Sequence, residues 1–256
     1  SNTITSTIGQ PTDFTITTSQ TNLICFGDTN ATATLNVSGA TPTYTYLWDD
    51  PTAQTTNSAT GLAAGTYVII VTDANGCSTN DTVNVTEPAI VNLELDSANS
   101  LFMVPCFGDS LGVASVSATG GAGPGTYWFY IDAANPQNDS NFYGLPAGNY
   151  LIFVNDANGC TDSIEVQISE PAEITFILSS TDVLCNGGSS GSAEVASISG
   201  GTPAYSYAWS NGATTDSIGG LVIGTYWITV TDANGCTIYP PDTVTIGEPT
   251  QLTTSV

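Results

Sequence analysis

Apolar and polar residues alternate along most of this chain. In ATATLNV at 31–37, Ala33, Leu35 and Val37 fall on one face, with Thr32, Thr34 and Asn36 on the other. In YTYLW at 44–48, Tyr44, Tyr46 and Trp48 share a face, and in TYVIIV at 66–71 so do Tyr67, Ile69 and Val71. A period of two marks half-buried strands, and no segment carries a helical stripe. Thr, Val, Ile and Tyr fill the strands, while Gly, Pro, Asn and Asp punctuate them. Short strands with turn signals about every 8–12 residues predict an all-β chain of antiparallel β-sandwiches. Trp48 and Trp209 fall where such a sandwich buries a tryptophan. The L-x-x-G-x-Y segments have the form of a tyrosine corner, in which a tyrosine hydroxyl bonds back to the main chain.

The strand pattern repeats three times. LAAGTYVIIVTDANGC at 62–77 returns as LPAGNYLIFVNDANGC at 145–160 and LVIGTYWITVTDANGC at 221–236. Each is preceded by another cysteine, Cys25, Cys106 or Cys185, lying 52, 54 and 51 residues upstream. SGATP at 38–42 matches SGGTP at 199–203, YTYLW matches YSYAW at 205–209, and each unit closes on Glu-Pro at 87–88, 170–171 and 248–249. The expected organisation is therefore the close of a preceding repeat at 1–11, repeats at 12–88, 89–171 and 172–249, and the opening of a following repeat at 250–256. Repeat two departs from the other two: its turn region at 118–144 is longer, and Tyr130 reads as the residue in the tryptophan position. DANGC itself reads as the turn between the last two strands. Asn-Gly supplies positive φ angles, and the Asp carboxylate can accept backbone N–H groups two residues on.

Composition narrows the chemistry. The 256 residues include 23 Asp and Glu but no Lys, Arg or His, a formal charge of −23. No side-chain ion pair can form within the chain. Nucleic-acid binding, which needs basic residues at phosphates, is excluded, and so is attraction to anionic lipid. Without His or Lys there is no Ser-His-Asp or Cys-His system and no Schiff base. A glycosidase-like carboxylate pair is formally available. The acids, however, are spread through the turns of three like units, so the chain is expected not to be an enzyme. Apolar runs are strand-sized, far short of the roughly 18 residues of a membrane span. The opening SNTITSTIGQP has neither a charged n-region nor an apolar h-region, so it reads as an excised or mature stretch without a signal peptide.

Six cysteines and one Met in such a chain indicate an oxidising compartment; six reduced thiols in a cytosolic protein are the alternative. No C-x-x-C spacing exists, which excludes a zinc ribbon. In a seven-strand sandwich the first and last turns lie at opposite ends, which sets a geometric problem for a bond between them. Each repeat carries its own pair, and on that ground the expected bonds are Cys25–Cys77, Cys106–Cys160 and Cys185–Cys236. Bonds between neighbouring repeats are the alternative.

C-[FN]-G, the GGTP-x-Y-x-Y-x-W run, L-x-x-G-T-Y-x-[IV]-x-V-T-D-A-N-G-C and the closing Glu-Pro together resemble the SprB-type repeat. That family occurs in giant cell-surface adhesins of Bacteroidetes, including gliding-motility adhesins exported by type IX secretion. The resemblance implies Ig-like or PKD-like β-sandwich repeats forming a rod within a long extracellular adhesin or filament on the bacterial surface. The implied partners are neighbouring repeats, other copies in a fibre, and a surface polysaccharide or cell target.

Three candidate sites follow from residue types. Asp73 with Asn75, Asp156 with Asn158 and Asp232 with Asn234 offer oxygens to Ca²⁺, though with fewer carboxylates than a tight calcium site uses. Glu87 and Glu170 mark a second place for a cation, at the repeat junctions. Thr82, Ser97, Ser110, Ser163, Ser217 and Thr243 each follow Asp and precede an apolar residue. That tripeptide resembles the O-glycosylation sequence of exported Bacteroidetes proteins, and glycans there would shield sheets that lack Lys gatekeepers. Trp227, outward on its strand, is the candidate for stacking on sugar. The alternative to a structural adhesin repeat is accordingly a secreted carbohydrate-binding module.

Overall fold

A computed structural model describes residues 4, 9–10, 12–121, 127–131 and 134–253. Most of the expected 1–11 segment, residues 254–256 of the expected following repeat, and residues 122–126 and 132–133 of the long turn region lie outside the described residues. By contact the chain divides into two compact units. The first comprises Ser1–Glu94, Ser117–Asp139 and Ile152–Ile164; the second comprises Leu95–Val116, Ser140–Leu151 and Glu165–Val256. The segment 12–88 lies within the first unit and 172–249 within the second, while 89–171 contributes to both. Among the described residues there is no helix, and so none long and apolar enough to cross a membrane.

Segment 12–88 forms β1 (Thr15–Gln20), β2 (Ala31–Ser38), β3 (Thr45–Trp48), β4 (Ser58–Leu62), β5 (Gly65–Thr72) and β6 (Ser78–Val85). They make two antiparallel sheets, ordered β1-β2-β4 and β3-β5-β6. This is the three-on-three core of a constant-type Ig sandwich, with the fourth strand of the first sheet missing. Residues 49–57 take its place as an irregular crossover. The expected faces are observed: Ala31, Ala33, Leu35, Ile69, Val71, Val83 and Val85 are buried in one cluster around Trp48. Trp48 is buried because its indole N–H has a partner, donating to the Thr56 carbonyl at 2.9 Å.

Segment 89–171 supplies β7 (Ala89–Leu95), β8 (Gly112–Gly121), β9 (Trp128–Ile131), β10 (Ala134–Gln137), β11 (Asn141–Leu145), β12 (Gly148–Asn155) and β13 (Thr161–Ile168). They belong to two sheets, ordered β11-β8-β7 and β10-β9-β12-β13. The register corrects the expectation at Tyr130. Ile131 faces Ile152, as Trp48 faces Ile69 and Trp209 faces Ile228. Ile131 therefore holds the tryptophan position. Tyr130 points the other way along the pleat, stacking on Phe153 with centroids 5.1 Å apart and donating its hydroxyl to Asn155 Oδ1 at 3.0 Å.

Segment 172–249 restates the first, with β14 (Thr175–Thr181), β15 (Gly191–Ser199), β16 (Ser206–Trp209), β17 (Ser217–Leu221), β18 (Gly224–Thr231) and β19 (Asp242–Ile246). Its sheets are β14-β15-β17 and β16-β18-β19, closed over Trp209, Ile218, Leu221, Ile228, Val230 and Ile246. The tyrosine corners are present in all three segments. Tyr67, Tyr150 and Tyr226 donate to the carbonyls of Ala63, Pro146 and Val222 at 3.1, 2.9 and 3.2 Å. A glycine is required once per segment beside the first strand. Gly39, Gly120 and Gly200 have φ of 82°, 83° and 78°, and a Cβ there would stand within 2.0 Å of the carbonyl oxygens of Asp13, Ile90 and Glu173.

Candidate functional site

Each DANGC turn is built around its aspartate. The N–H groups of Cys77 and Asn75 donate to Asp73 Oδ1 at 2.8 and 2.9 Å, and that of Thr41 donates to Oδ2 at 3.2 Å. Asp232 repeats this with Cys236, Asn234 and Thr202 at 2.9, 2.9 and 2.7 Å. Asp156 Oδ1 accepts from Cys160 and Asn158 at 2.8 and 2.9 Å. All three carboxylates are buried in a chain with no basic residue. Burial pushes the pKa of Asp73 and Asp232 up, but the backbone N–H donors outweigh it and hold both below the usual carboxylate range. Gly76, Gly159 and Gly235 close the turns at φ of 84–87°. The bond from Thr41 fixes this turn beside the β2–β3 connection.

The first cysteine of each repeat sits in a different loop, at the other end. Leu23 N–H donates to the Thr86 carbonyl at 2.9 Å, just beyond β6, and Gly27 N–H donates to Glu87 Oε2 at 2.7 Å. Gly108 is held by Glu170 at 2.7 Å and Gly187 by Glu248 at 2.8 Å. The Glu of the closing Glu-Pro is thus a clamp on the C-x-G loop. The cation expected at Glu87 and Glu170 would compete with these donors for the same oxygens.

This placement decides the disulfides. Gly65 pairs with Val85, so Cys25 lies at the start of β5, while Cys77 lies beyond its last residue, Thr72. Eight strand residues span about 26 Å, and disulfide Cα atoms must lie within about 7 Å. The bonds expected within repeats, Cys25–Cys77, Cys106–Cys160 and Cys185–Cys236, are therefore not the ones formed. Instead Cys25 bonds Cys160 and Cys106 bonds Cys236, with Cα separations of 5.5 and 5.6 Å. Each joins the C-x-G loop of one repeat to the DANGC turn of the next. Cys160 Sγ also packs 3.3 Å from the Ile24 carbonyl oxygen and Cys236 Sγ 3.3 Å from that of Pro105. Asn234 Nδ2 donates across the second junction to Pro105 O at 3.1 Å, and to Thr202 Oγ1 of its own repeat at 3.0 Å. Cys77 and Cys185 are exposed free thiols.

The other expected residues are placed as follows. Asp73, Asn75, Asp156, Asn158, Asp232 and Asn234 come together pairwise in the turns, and the Asp oxygens are engaged by N–H donors. Among the described residues, no group of three or more Asp, Glu, Cys or His gathers as a metal set. Thr82, Ser97, Ser110, Ser163, Ser217 and Thr243 are all exposed. Thr82, Ser163 and Thr243 occupy equivalent places, each donating its N–H to the preceding Asp Oδ1 at 2.8 Å. Trp227 is 52% exposed on β18, whereas Trp48 and Trp209 are core.

Asp50 was not anticipated. It organises the 49–57 crossover, accepting from Gln54 N–H at 2.8 Å, from Gln54 Nε2 and Thr52 N–H at 3.1 Å, and from the Thr52 hydroxyl. Burial raises its pKa, but these donors bring it down to about 2. The signal was the local D-P-T-A-Q string, an Asp followed at two and four residues by donors.

Residues 17–53 and 177–214 match the family model for the SprB repeat. These segments are SprB repeats. Each match runs from the first strand through the C-x-G loop and the buried Trp into the crossover, so the SprB repeat as matched carries the upstream cysteine of the junction.

No curated protein matches the chain. Among solved structures, the N-terminal eight Ig domains of Down Syndrome Cell Adhesion Molecule isoform 1.30.30 are 9% identical with a TM-score of 0.37, covering 93% of this chain. The chain spans 45% of that chain's length. Invasin, a bacterial integrin-binding protein, is 13% identical with a TM-score of 0.30, covering 91% of this chain and 60% of that one. The fibronectin(III)-like modules of Clostridium thermocellum CbhA are 15% identical with a TM-score of 0.27, covering 60% and 95%. At these scores the likeness carries no argument, and the architecture rests on strand order and register.

Proposed function

We propose that this chain is a load-bearing structural segment of an extracellular adhesive protein, non-catalytic and without a resident cofactor. The observation that carries the reading is the junction chemistry. Successive repeats are joined by sulfur and by side-chain contacts to backbone carbonyls, with no ion pair available to open with salt. The SprB match supports a surface-adhesin setting, and its family context suggests a Bacteroidetes filament exported by type IX secretion and serving gliding motility. The six exposed Asp-Ser/Thr-apolar sites are candidate glycan positions, which mass measurement of the exported protein would reveal. With no Lys or Arg, the chain also offers nothing to trypsin-like proteases.

The two disulfide loops overlap, and this sets a mechanical test. When the oxidised chain is unfolded by pulling from its ends, tension follows residues 1–25, 106–160 and 236–256 and crosses the two S–S bonds. That path is about 100 residues, or about 350 Å at roughly 3.5 Å per residue. Reduced protein should run out to all 256 residues, about 900 Å. Equal lengths before and after reduction would remove the load-bearing reading.

The exposure of Trp227 favours a second reading, sugar binding on β18. It predicts a fluorescence change on adding polysaccharide that disappears in Trp227→Ala.

A further inference from the structure

The two bonded junctions follow one rule: the C-x-G cysteine of a repeat takes the DANGC cysteine of the repeat after it. Cys77 and Cys185 are the two positions left over when that rule is applied to three repeats. We propose that Cys185 is the open half of a third junction of this kind, which accepts the DANGC cysteine of a following repeat joined through Glu248-Pro249. Cys77 is the matching half for a repeat that precedes. The inference rests on the disulfide geometry and is independent of what the protein adheres to.

Three observations support it beyond the presence of two thiols. The first is that the half-sites are already formed. The Cys185 loop is clamped by Glu248 as its bonded counterparts are clamped by Glu87 and Glu170, at 2.8 Å against 2.7 and 2.7 Å. Cys77 N–H is held by Asp73 at 2.8 Å, as those of Cys160 and Cys236 are held by Asp156 and Asp232 at 2.8 and 2.9 Å.

The second is burial. Cys160 is buried and Cys25, Cys106 and Cys236 half-buried, whereas Cys77 and Cys185 are exposed. The same positions are covered wherever the neighbouring turn is present. Leu184, beside Cys185, is 82% exposed.

The third is the composition of the surrounding walls. The hollow at Cys25 is lined by Phe26, by Ile90 and Val91 from the chain after Glu-Pro, and by Gly159, Cys160 and Thr161 of the incoming turn. The one at Cys106 is likewise lined by Pro171 and Ala172 and by Gly235 and Cys236. At Cys185 a cavity of about 460 Å³ is lined by Leu184 and by Pro249, Thr250 and Leu252. It has the wall supplied by the segment after Glu-Pro and lacks the turn.

Closing the junction forms one S–S bond from two thiols and needs a two-electron oxidant. A small-molecule disulfide such as glutathione disulfide supplies this. One thiolate displaces glutathione to give a mixed disulfide, and the second thiolate displaces the remaining glutathione, so the oxidant leaves as two thiols.

The test is a tandem fusion in which residues 1–249 of one copy run directly into 12–256 of a second, refolded in a glutathione redox buffer. Each copy has six cysteines and two internal disulfides, so independent copies leave four free thiols. A new bond between Cys185 of the first copy and Cys77 of the second leaves two. Thiol titration gives the count, and mapping after cleavage at both Asp and Glu, which separates Cys25 from Cys77 and Cys106 from Cys160, identifies the pair. Cys77→Ser in the second copy should raise the count to three.

Four free thiols, or Cys185 of the first copy bonded to any other cysteine, would overturn the proposal. So would a count of two reached without Cys25–Cys160 and Cys106–Cys236 in both copies, since those bonds report the native fold on the same map. The pulling experiment uses only the two existing bonds, so it stands or fails separately.

Discussion

Glu87 closes its repeat and also shapes the loop that its own repeat offers to the next one. Its Oε2 accepts the Gly27 N–H at 2.7 Å, across 60 residues of sequence, and so fixes the backbone next to Cys25. The Pro that follows then starts the next segment from the same place. One carboxylate therefore sets both the exit of the chain and the presentation of the sulfur.

Glu87→Ala should cost about 1 kcal/mol, the usual worth of such a bond where water can replace the acceptor. Its specific signature is chemical. Reduction of Cys25–Cys160 by a small thiol should quicken, while Cys106–Cys236, clamped by Glu170, should keep its rate. Differential alkylation followed by mass mapping reads the two bonds separately, and equal acceleration of both would show that Glu87 does not act locally.

Acid should unfold the protein in a defined window. Asp50, Asp73 and Asp232 have folded pKa values below their ordinary one, so their stabilisation is complete above about pH 4 and is lost as pH falls through the folded values, near 2 for Asp50. Melting temperature measured from pH 5 to pH 2 should fall most steeply below pH 4. Asp73→Asn with Asp232→Asn should lower the melting temperature at pH 7 and flatten that fall.

Salt should stabilise the chain rather than weaken it. With 23 carboxylates and no cation, screening relieves repulsion and has no ion pair to break. Melting temperature should rise between about 0.02 and 0.5 M NaCl. Calcium at matched ionic strength should add nothing further if the DANGC aspartates serve as turn anchors; an extra shift that saturates would instead point to a bound ion.

The tryptophan position should differ in worth between repeats. Trp209→Ala removes a buried indole whose N–H is paired with Thr215 O at 2.9 Å, and should cost about 3–5 kcal/mol. Ile131→Ala removes a smaller, half-buried side chain and should cost less. Denaturant unfolding of the two variants gives the comparison.

The alternation in ATATLNV and TYVIIV determined the strands and their buried faces, because a pleated strand turns successive side chains to opposite sides wherever it is placed. DANGC determined its own turn, since Asp and Gly act on backbone groups within four residues. The tyrosine corners were legible for the same reason, each closing over four residues. What the sequence left open were relationships over distance. Ile131 and Tyr130 are adjacent, and only pairing with β12 decides which of them occupies the tryptophan position. Glu87 and Gly27 meet only once β6 has carried one end of the repeat to the other. The cysteines come in pairs within each repeat, which suggested bonds within repeats. The sandwich sets the two members of each pair about 26 Å apart, the length of β5, so sulfur reaches across the junction instead.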